Sequence, residues 1–310
     1  MNGRGSDPRP ALAGRVAQAY PIPMARWTVS DLDQRPELIT SALALFAAGP
    51  GHDHLVCGSP ARMGQPVRAE DLRRCLGVAL LLDGIRPVGA LAICPYSESQ
   101  VTLWGPVVIA GDRMAGARAL LAEVRTALDA GGYESIRVLV DTRNRNARAM
   151  VLQLGFTAWK DDLLYETALG ERPQADLEGI RVASRADHEA VAAILDEGFP
   201  DSDHCHPNLV QREDDGYRHY LLMDAGRPVA AAAVQRDGRR AWLKLISVAG
   251  QARGRHHGRR LLLGVMASEV RLGATRMGLD VLADNRAAIA LYQGCGFVRQ
   301  WGATIFTGPV

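Results

Sequence analysis

The most informative stretch of the chain reads LDVLADNRAAIALYQGCGF, residues 279–297. Its apolar beginning predicts a buried strand, its Ala-rich centre predicts a short helix, and Gly296-Phe297 opens a further strand. A turn that carries Asn285 separates the first strand from the helix. This order of elements indicates a domain that mixes strands and helices.

The same pattern occurs earlier in the chain, shifted by 141 positions. The shift carries Asn144 onto Asn285 and Gly155-Phe156 onto Gly296-Phe297. The register has no gap from Asp83 onwards, and further matching pairs are Asp83/Asp224, Arg86-Pro87-Val88/Arg227-Pro228-Val229, Val107/Val248, Leu120-Leu121/Leu261-Leu262 and Ala147/Ala288. Because one fixed offset joins turn, strand and helix residues, the chain is predicted to contain two copies of one domain.

The predicted fold class is α+β, with two tandem domains that each have a mostly antiparallel, twisted central sheet flanked by helices. In each copy the apolar pattern of the sequence predicts three strands, an amphipathic helix, a fourth strand, a short helix and a final strand. A length of 310 residues suits two domains. The predicted ranges are a flexible tail at 1–22, a first copy at 23–168, a linker at 169–177 and a second copy at 178–310.

The composition argues against several classes of function. Because 36 Lys and Arg face 34 Asp and Glu, and only 5% of residues are aromatic, neither nucleic acid nor a membrane is predicted as a partner. The N-terminus lacks the apolar core of a signal peptide, and apolar segments are short. The five cysteines include no CxxC pair, which indicates reduced thiols and a cytoplasmic location.

A glycine- and arginine-rich loop follows the third strand of the second copy, in the segment SVAGQARGRHHGRRLL, residues 247–262. The start of a helix leaves backbone N–H groups unpaired, so a loop that leads into a helix can hold a phosphate or pyrophosphate. Gly254 and Gly258 allow the backbone to approach such a ligand, and the neighbouring arginines supply bidentate donors. The residues alone leave a solvated basic loop as the alternative.

Together, the loop and residues 279–297 resemble the GNAT superfamily of N-acetyltransferases. The family's motif N-x-x-A-x-x-L-Y-x-x-x-G-F is filled by Asn285, Ala288, Leu291, Tyr292, Gly296 and Phe297. Its loop motif, Arg/Gln-x-x-Gly-x-Gly/Ala, is filled by Arg253 and Gly258, whereas His256 stands in place of the middle glycine. A Cβ therefore faces the cradle. The resemblance covers 178–310 and, more faintly, 23–168.

The resemblance implies that acetyl-CoA is the co-substrate and that the second copy holds it. Backbone amides of the loop would bind the pyrophosphate, Val248 would bind the pantetheine arm and polarise the thioester carbonyl, and Asn285 would hydrogen-bond the cofactor. The implied cofactor-binding residues are Ile246, Val248, Arg253, Gly254, Arg255, His256, His257, Gly258, Arg259, Asn285 and Ala288. No metal is expected, since the acidic, His and Cys residues of segment 201–206 lack a partner motif for zinc.

Two residues are implied as catalytic. Tyr292 resembles the general acid that returns a proton to the departing thiolate, and a phenol has suitable acidity for that step. Asp280 matches an acidic strand position that some members, such as the ribosomal-protein N-terminal acetyltransferases, use as the base. The alternatives are a Tyr292 ring that only packs beneath Phe297 and a solvent-facing carboxylate at Asp280.

The first copy is predicted to be degenerate. At the offset, Tyr292 falls on Val151 and Arg253 falls on Asp112, so a proton donor is lost and a negative charge enters the cradle. The sequence thus predicts an acyl-CoA-dependent N-acyltransferase that transfers an acetyl group to a primary amine of a small molecule or peptide.

Two alternatives to this function remain. Tandem members such as the mycothiol synthases share the arrangement of a silent first copy and an active second copy, which leaves a thiol-sugar amine as an alternative acceptor. A non-catalytic CoA-binding or regulatory module is the alternative from another class. The sequence also leaves a homodimer open.

Overall fold

A computed structural model describes residues 24–28, 36–48, 67–170, 178–200 and 204–310. The predicted tail at 1–22, most of the predicted linker at 169–177 and the acidic start of segment 201–206 lie outside these ranges. None of the helices in the described ranges is both long and apolar enough to cross a bilayer.

The elements of the two copies follow the repeat. The first copy contains β1 (Met24–Thr28), α1 (Pro36–Phe46), α2 (Ala69–Arg73), β2 (Gly77–Asp83), β3 (Arg86–Pro95), β4 (Gln100–Val108), α3 (Arg113–Ala130), β5 (Ser135–Asp141), α4 (Arg145–Gln153) and β6 (Thr157–Ala168). The second copy contains β7 (Ile180–Val182), α5 (His188–Gly198), α6 (His206–Asp214), β8 (Tyr217–Asp224), β9 (Arg227–Asp237), β10 (Arg240–Val248), α7 (His257–Arg271), β11 (Arg276–Leu282), α8 (Arg286–Gly294) and β12 (Val298–Pro309). The pairs β5/β11, α4/α8 and β6/β12 begin and end 141 positions apart.

The chain forms two compact units, and each contains strands in a mixed parallel and antiparallel arrangement. Unit 1 is Met1–Asp162 with Gly302–Val310, and unit 2 is Leu163–Trp301. In unit 1 the strand order is β1-β2-β3-β4-β5-β12, and in unit 2 it is β6-β11-β10-β9-β8-β7. The hairpins are antiparallel, whereas β4 pairs with β5 and β10 pairs with β11 in parallel. The predicted α+β class with a mostly antiparallel sheet in each copy is confirmed.

Helices cover both faces of each sheet. In β2, Val78 and Leu80 pack on the α1 and α2 side, while Ala79 and Leu81 face α3. Successive strand residues point to opposite faces, so burial of both faces explains why the strands are apolar without alternation. Unit 2 repeats the arrangement, because Leu221 lies with α5 and α6 whereas its neighbours lie with α7 and α8.

The final strands are exchanged between the repeats. Ala303–Pro309 of β12 pair with β5 in unit 1, where the Phe306 ring is fully buried. Leu163–Ala168 of β6 belong to unit 2, where Tyr165 joins the core. The predicted ranges 23–168 and 178–310 are the two sequence repeats. The compact units have different boundaries, because each includes the end of the other repeat's final strand. Because β6 and β12 occupy equivalent positions, the sequence pattern of either strand suits both sheets.

The burial of β12 in the core of unit 1 predicts a large effect at one position. Phe306→Ala should lower the free energy of unfolding by about 3–5 kcal/mol, because it leaves a cavity in place of an aromatic ring. Val298→Ala is the matched control on the same strand. Its side chain is 63% exposed, so its effect should stay within about 0.5 kcal/mol. Urea denaturation followed by circular dichroism measures both, and equally small effects would contradict the described packing of β12.

Candidate functional site

A cleft of about 750 Å³ lies where β10 ends and where α7 and α8 begin. The end of β10, the loop at 250–256 and one side of α8 form its walls. Ten of the eleven predicted cofactor-binding residues line it, namely Ile246, Val248, Arg253, Gly254, His256, His257, Gly258, Arg259, Asn285 and Ala288. The remaining one, Arg255, does not line this cleft. The predicted loop and the predicted helix therefore meet in one concave site.

The start of α7 is arranged so that its first amide groups are not used by a side-chain cap. His256 precedes the helix and makes no side-chain hydrogen bond to the amides that follow. Its φ angle is +62°, a left-handed conformation that costs an L-residue roughly 1–2 kcal/mol. This backbone conformation suits glycine, which accounts for the glycine that the motif usually has here. His256 adopts this conformation despite its energetic cost.

Two arginines at the cleft donate to backbone carbonyls. Arg253 Nε donates to the oxygen of Val248 at 3.0 Å, and Arg259 Nη1 donates to the oxygen of Gly294 at 3.0 Å. A neutral carbonyl does not cancel the guanidinium charge, so both side chains bring positive charge to the cleft. The carbonyl of Val248, which the resemblance assigned to the pantetheine arm, is already engaged by Arg253, although a carbonyl oxygen has a second lone pair.

Within the described ranges, two buried polar atoms in the cleft wall have no hydrogen-bond partner. They are Ser247 Oγ and His257 Nε2. The nearest carboxylate oxygen to His257 Nε2 belongs to Asp224, at 3.6 Å, which is too long for a hydrogen bond. Buried polar groups are normally paired, so these atoms point to a polar ligand. The donors, the positive charge and the uncapped helix start together fit a phosphate-bearing ligand such as CoA.

Asn285 has a structural role that the sequence did not reveal. Its Oδ1 accepts a hydrogen bond from the amide of Ala288 at 3.1 Å and so caps α8. Asn144 does the same for Ala147 at 2.9 Å in the first copy. Since both copies keep this cap, the shared asparagine is explained by the start of a helix. The hydrogen bond from Asn285 to the cofactor stays a prediction.

Tyr292 lies mostly inside the core of unit 2. Its side chain packs against Phe297 with ring centroids 6.0 Å apart, and the residue is 7% exposed. Tyr292 is not part of the cleft wall, although its helix neighbours Ala288 and Leu291 are. Burial, together with the negative charge of Asp280, raises the pKa of Tyr292 well above its usual value. The phenol therefore holds its proton at neutral pH, and its role as an acid stays a prediction.

Asp280 lies on β11 and is only partly buried. Its Oδ1 accepts a hydrogen bond from the indole N–H of Trp242 at 2.9 Å. The indole can lie there because Gly278 has no side chain: a Cβ at Gly278 would overlap the Trp242 ring. Asp280 is thus held in a defined orientation, which is what a base on this strand requires.

Sequence reasoning missed two neighbours of Asp280, namely Trp242 and Lys244. Lys244 is the extra residue of a β-bulge between Leu243 and Leu245, where the pairing of β10 with β9 shifts. Burial lowers the pKa of Lys244, while the charge of Asp280 opposes that shift. A bulge leaves no periodic signal in a sequence. Comparison of the two copies does single out this position, because the first copy has Leu103 where the second has Lys244.

Comparison with known proteins agrees with this geometry. Residues 188–297 match the model of the acetyltransferase (GNAT) family. This match covers most of the second copy. No curated protein gives a significant match to the sequence.

Solved GNAT structures match almost the whole chain. A GCN5-related N-acetyltransferase from Sphaerobacter thermophilus has a TM-score of 0.68 at 16% identity, over 92% of this chain and 95% of its own. A tandem GNAT protein from the clavulanic acid biosynthesis pathway has a TM-score of 0.67 at 14% identity, over 93% and 98%. A GNAT-family acetyltransferase from Colwellia psychrerythraea has a TM-score of 0.54 at 15% identity, over 93% and 99%. Both copies therefore have the GNAT fold.

The first GNAT copy keeps a cleft at the equivalent place, with a volume of about 450 Å³. Residues that line it and stand 141 positions before cleft residues of the second copy are Pro106, Val107, Arg113, Asn144, Asn146, Ala147, Ala149, Met150 and Gln153. In this copy the first amides of α3 already have a hydrogen-bond partner. Asp112 Oδ1 accepts hydrogen bonds from the amides of Met114 and Ala115, both at 3.0 Å. The amides that an anion would need are bonded to the protein's own carboxylate.

The different helix starts predict different losses of stability at equivalent positions. Asp112→Ala should destabilise the protein by about 1 kcal/mol, because α3 loses its cap. Arg253→Ala at the equivalent position removes no cap and should cost less than about 0.5 kcal/mol. Urea denaturation measures the difference, and amide hydrogen exchange at Met114 and Ala115 should accelerate in the Asp112 variant alone. Equal losses in both variants would show that Asp112 does not cap α3.

Proposed function

We propose that the chain is an acyl-CoA-dependent N-acetyltransferase whose second copy, 178–310, holds acetyl-CoA and whose first copy, 23–168, is degenerate. One contrast carries this proposal. The amides at the start of α7 have no side-chain cap in the second copy, whereas Asp112 binds the amides of Met114 and Ala115 at the start of α3 in the first. A helix start with free amides attracts an anion, and a capped one with a carboxylate repels it.

The cleft offers a consistent place for each part of the co-substrate. The pyrophosphate would lie at the start of α7, with Arg253 and Arg259 beside it. The pantetheine arm would follow the end of β10, where Ser247 Oγ has no partner in the described part of the chain. Acetyl-CoA supplies an acetyl group that is activated as a thioester.

The proposed reaction is direct attack of a primary amine on that acetyl group. The amine must lose a proton, and Asp280, oriented by Trp242, is the proposed acceptor, directly or through water. The bond to sulfur then breaks, and the thiolate takes the proton of Tyr292 or a hydrogen bond from it. The raised pKa of Tyr292 keeps the phenol protonated until that step. The acceptor is a small-molecule or peptide amine.

A non-catalytic CoA-binding protein is the second candidate, and a specific observation favours it. Tyr292 is packed in the core and lies outside the cleft wall. A protein that only binds CoA needs the cleft and has no use for an acid at this position. Thiol release from acetyl-CoA in the presence of a panel of amines separates the two candidates.

The placement of CoA in the second copy predicts the effect of a charge reversal. Arg253→Glu should weaken CoA binding by about tenfold to a hundredfold, because a carboxylate would face the pyrophosphate. Arg113→Glu in the cleft of the first copy is the matched control and should leave affinity and stoichiometry unchanged. Calorimetry with the full chain measures both, and the reverse pattern would place CoA in the first copy.

The general-acid role predicts a selective loss of turnover. Tyr292→Phe should lower kcat by about ten- to a thousandfold while the KM for acetyl-CoA moves little, because only the acidic proton is removed. Tyr165→Phe is the control, since it removes another hydroxyl from the same core. Steady-state thiol release at saturating amine measures both. A Tyr292→Phe protein as active as the parent would leave Tyr292 as a packing residue only.

A further inference from the structure

The geometry points to a zinc-binding site in unit 2, formed by His188, Glu213 and His219. His188 begins α5, Glu213 lies near the end of α6, and His219 lies on β8. Their ligand atoms all lie within 4.8 Å of one another. The site is independent of the proposed acetyl transfer, since none of the three residues lines the cleft.

The distances suit a tetrahedral metal ion. His188 Nε2 is 2.9 Å from Glu213 Oε1, and His219 Nδ1 is 3.8 Å from the same oxygen. Zinc bonds of about 2.0–2.2 Å place neighbouring donor atoms about 3.4 Å apart. The first separation is that of a hydrogen bond between His188 and Glu213, so an ion would open this pair by about 0.5 Å and draw His219 closer to Glu213. Two imidazoles and one carboxylate are a ligand set that zinc uses, with water in the fourth position. The Glu213 side chain is 24% exposed, which gives access from solvent.

His219 supplies the second, independent observation. It is 1% exposed, and neither of its ring nitrogens has a hydrogen-bond partner among the residues that the structure describes. A polar ring buried without partners is unfavourable unless something binds it. An imidazole nitrogen without a partner can supply a lone pair to a metal ion.

The surrounding side chains hold the ligands in place. His188 Nδ1 is 3.0 Å from His206 Nδ1. When Nε2 of His188 binds the ion, its Nδ1–H donates to His206, as metal-binding histidines commonly do. Arg185 Nε lies 3.5 Å from Glu213 Oε2, which leaves Oε1 facing the two imidazoles. His188 and Glu213 are thus each oriented by a neighbour that is not itself a ligand.

The site is specific to the second copy and distant from the cleft. Strand pairing places Val78, which is fully buried, at the position of His219 in the first copy. His188 is separated from Gly198, which lines the cleft at the other end of α5, by ten residues of helix, or about 15 Å. The ion would therefore stabilise the packing of α5 and α6 on β8 and take no part in chemistry in the cleft.

The sequence hid this site because its ligands follow no metal-binding spacing. His188 and Glu213 are 25 positions apart, and only the fold brings His219 to them. The expectation that no metal binds rested on segment 201–206. Of that segment His206 contacts the site, as a partner of His188.

Zinc binding by the untagged full-length protein tests the inference. After removal of metal with a chelator, competition with a zinc-indicator dye should show one tight site per chain. Cobalt should bind there with the visible absorption of a tetrahedral ion. Glu213→Gln and His219→Gln should each weaken zinc binding more than about tenfold, since loss even of an orienting neighbour costs about that much. The control His204→Gln changes another buried histidine of the same unit and should bind zinc like the parent.

Thermal unfolding of the unmodified protein gives a second readout that does not depend on any variant. Zinc should raise Tm, because it binds only the folded chain, and the chelator should reverse the rise. Glu213→Gln, whose side chain is partly exposed, should fold and lose the rise even if His219→Gln does not fold. A parent protein without a saturable zinc site, or a Glu213→Gln protein that binds zinc as tightly as the parent, would overturn the inference.

Discussion

The amide groups at the start of a helix must be satisfied by something, and this constraint separates the two copies. In the first copy the carboxylate of Asp112 satisfies them from within the chain. In the second copy the residue before the helix is His256, in a left-handed conformation. Its side chain makes no hydrogen bond to the amides that follow. Beyond this point the copies agree closely, since β5, α4 and β6 repeat as β11, α8 and β12 at an offset of 141. The residue before each helix, Asp112 in the first copy and His256 in the second, thus differs in whether it occupies the amides that an anion would need.

Much of the fold could be predicted from the sequence, because its signals are local. Asn144 and Asn285 start equivalent helices, and the strands beside them are apolar because both faces are buried. The loop and helix that form the cleft were also predictable, since a helix start and basic residues are adjacent in the chain. The exchange of β6 and β12 could not be predicted. The two strands occupy equivalent positions in the repeat, so their sequences do not indicate which strands each one pairs with.

The surroundings of Asp280, in contrast, could not be predicted from the sequence. Trp242 and Lys244 reach it through the pairing of β10 with β11 and through a bulge, neither of which has a sequence period. The environment of Tyr292 depends on packing against Phe297, which the motif alone does not describe. The cluster of His188, Glu213 and His219 joins two helices and a strand. Such sites depend on tertiary contacts, so they become visible only when the fold is known.

The exchanged strands also constrain the order in which the protein can be made. Gly302–Val310, which complete the sheet of unit 1, follow every residue of unit 2 in the chain. A ribosome therefore delivers the last strand of the first unit only after the second unit has been synthesised. Domains usually fold in turn as they emerge, but here unit 1 must wait with β5 unpaired on one side. Until then, the open edge of β5 is exposed to other chains, and the speed with which β12 arrives limits the time available for mispairing.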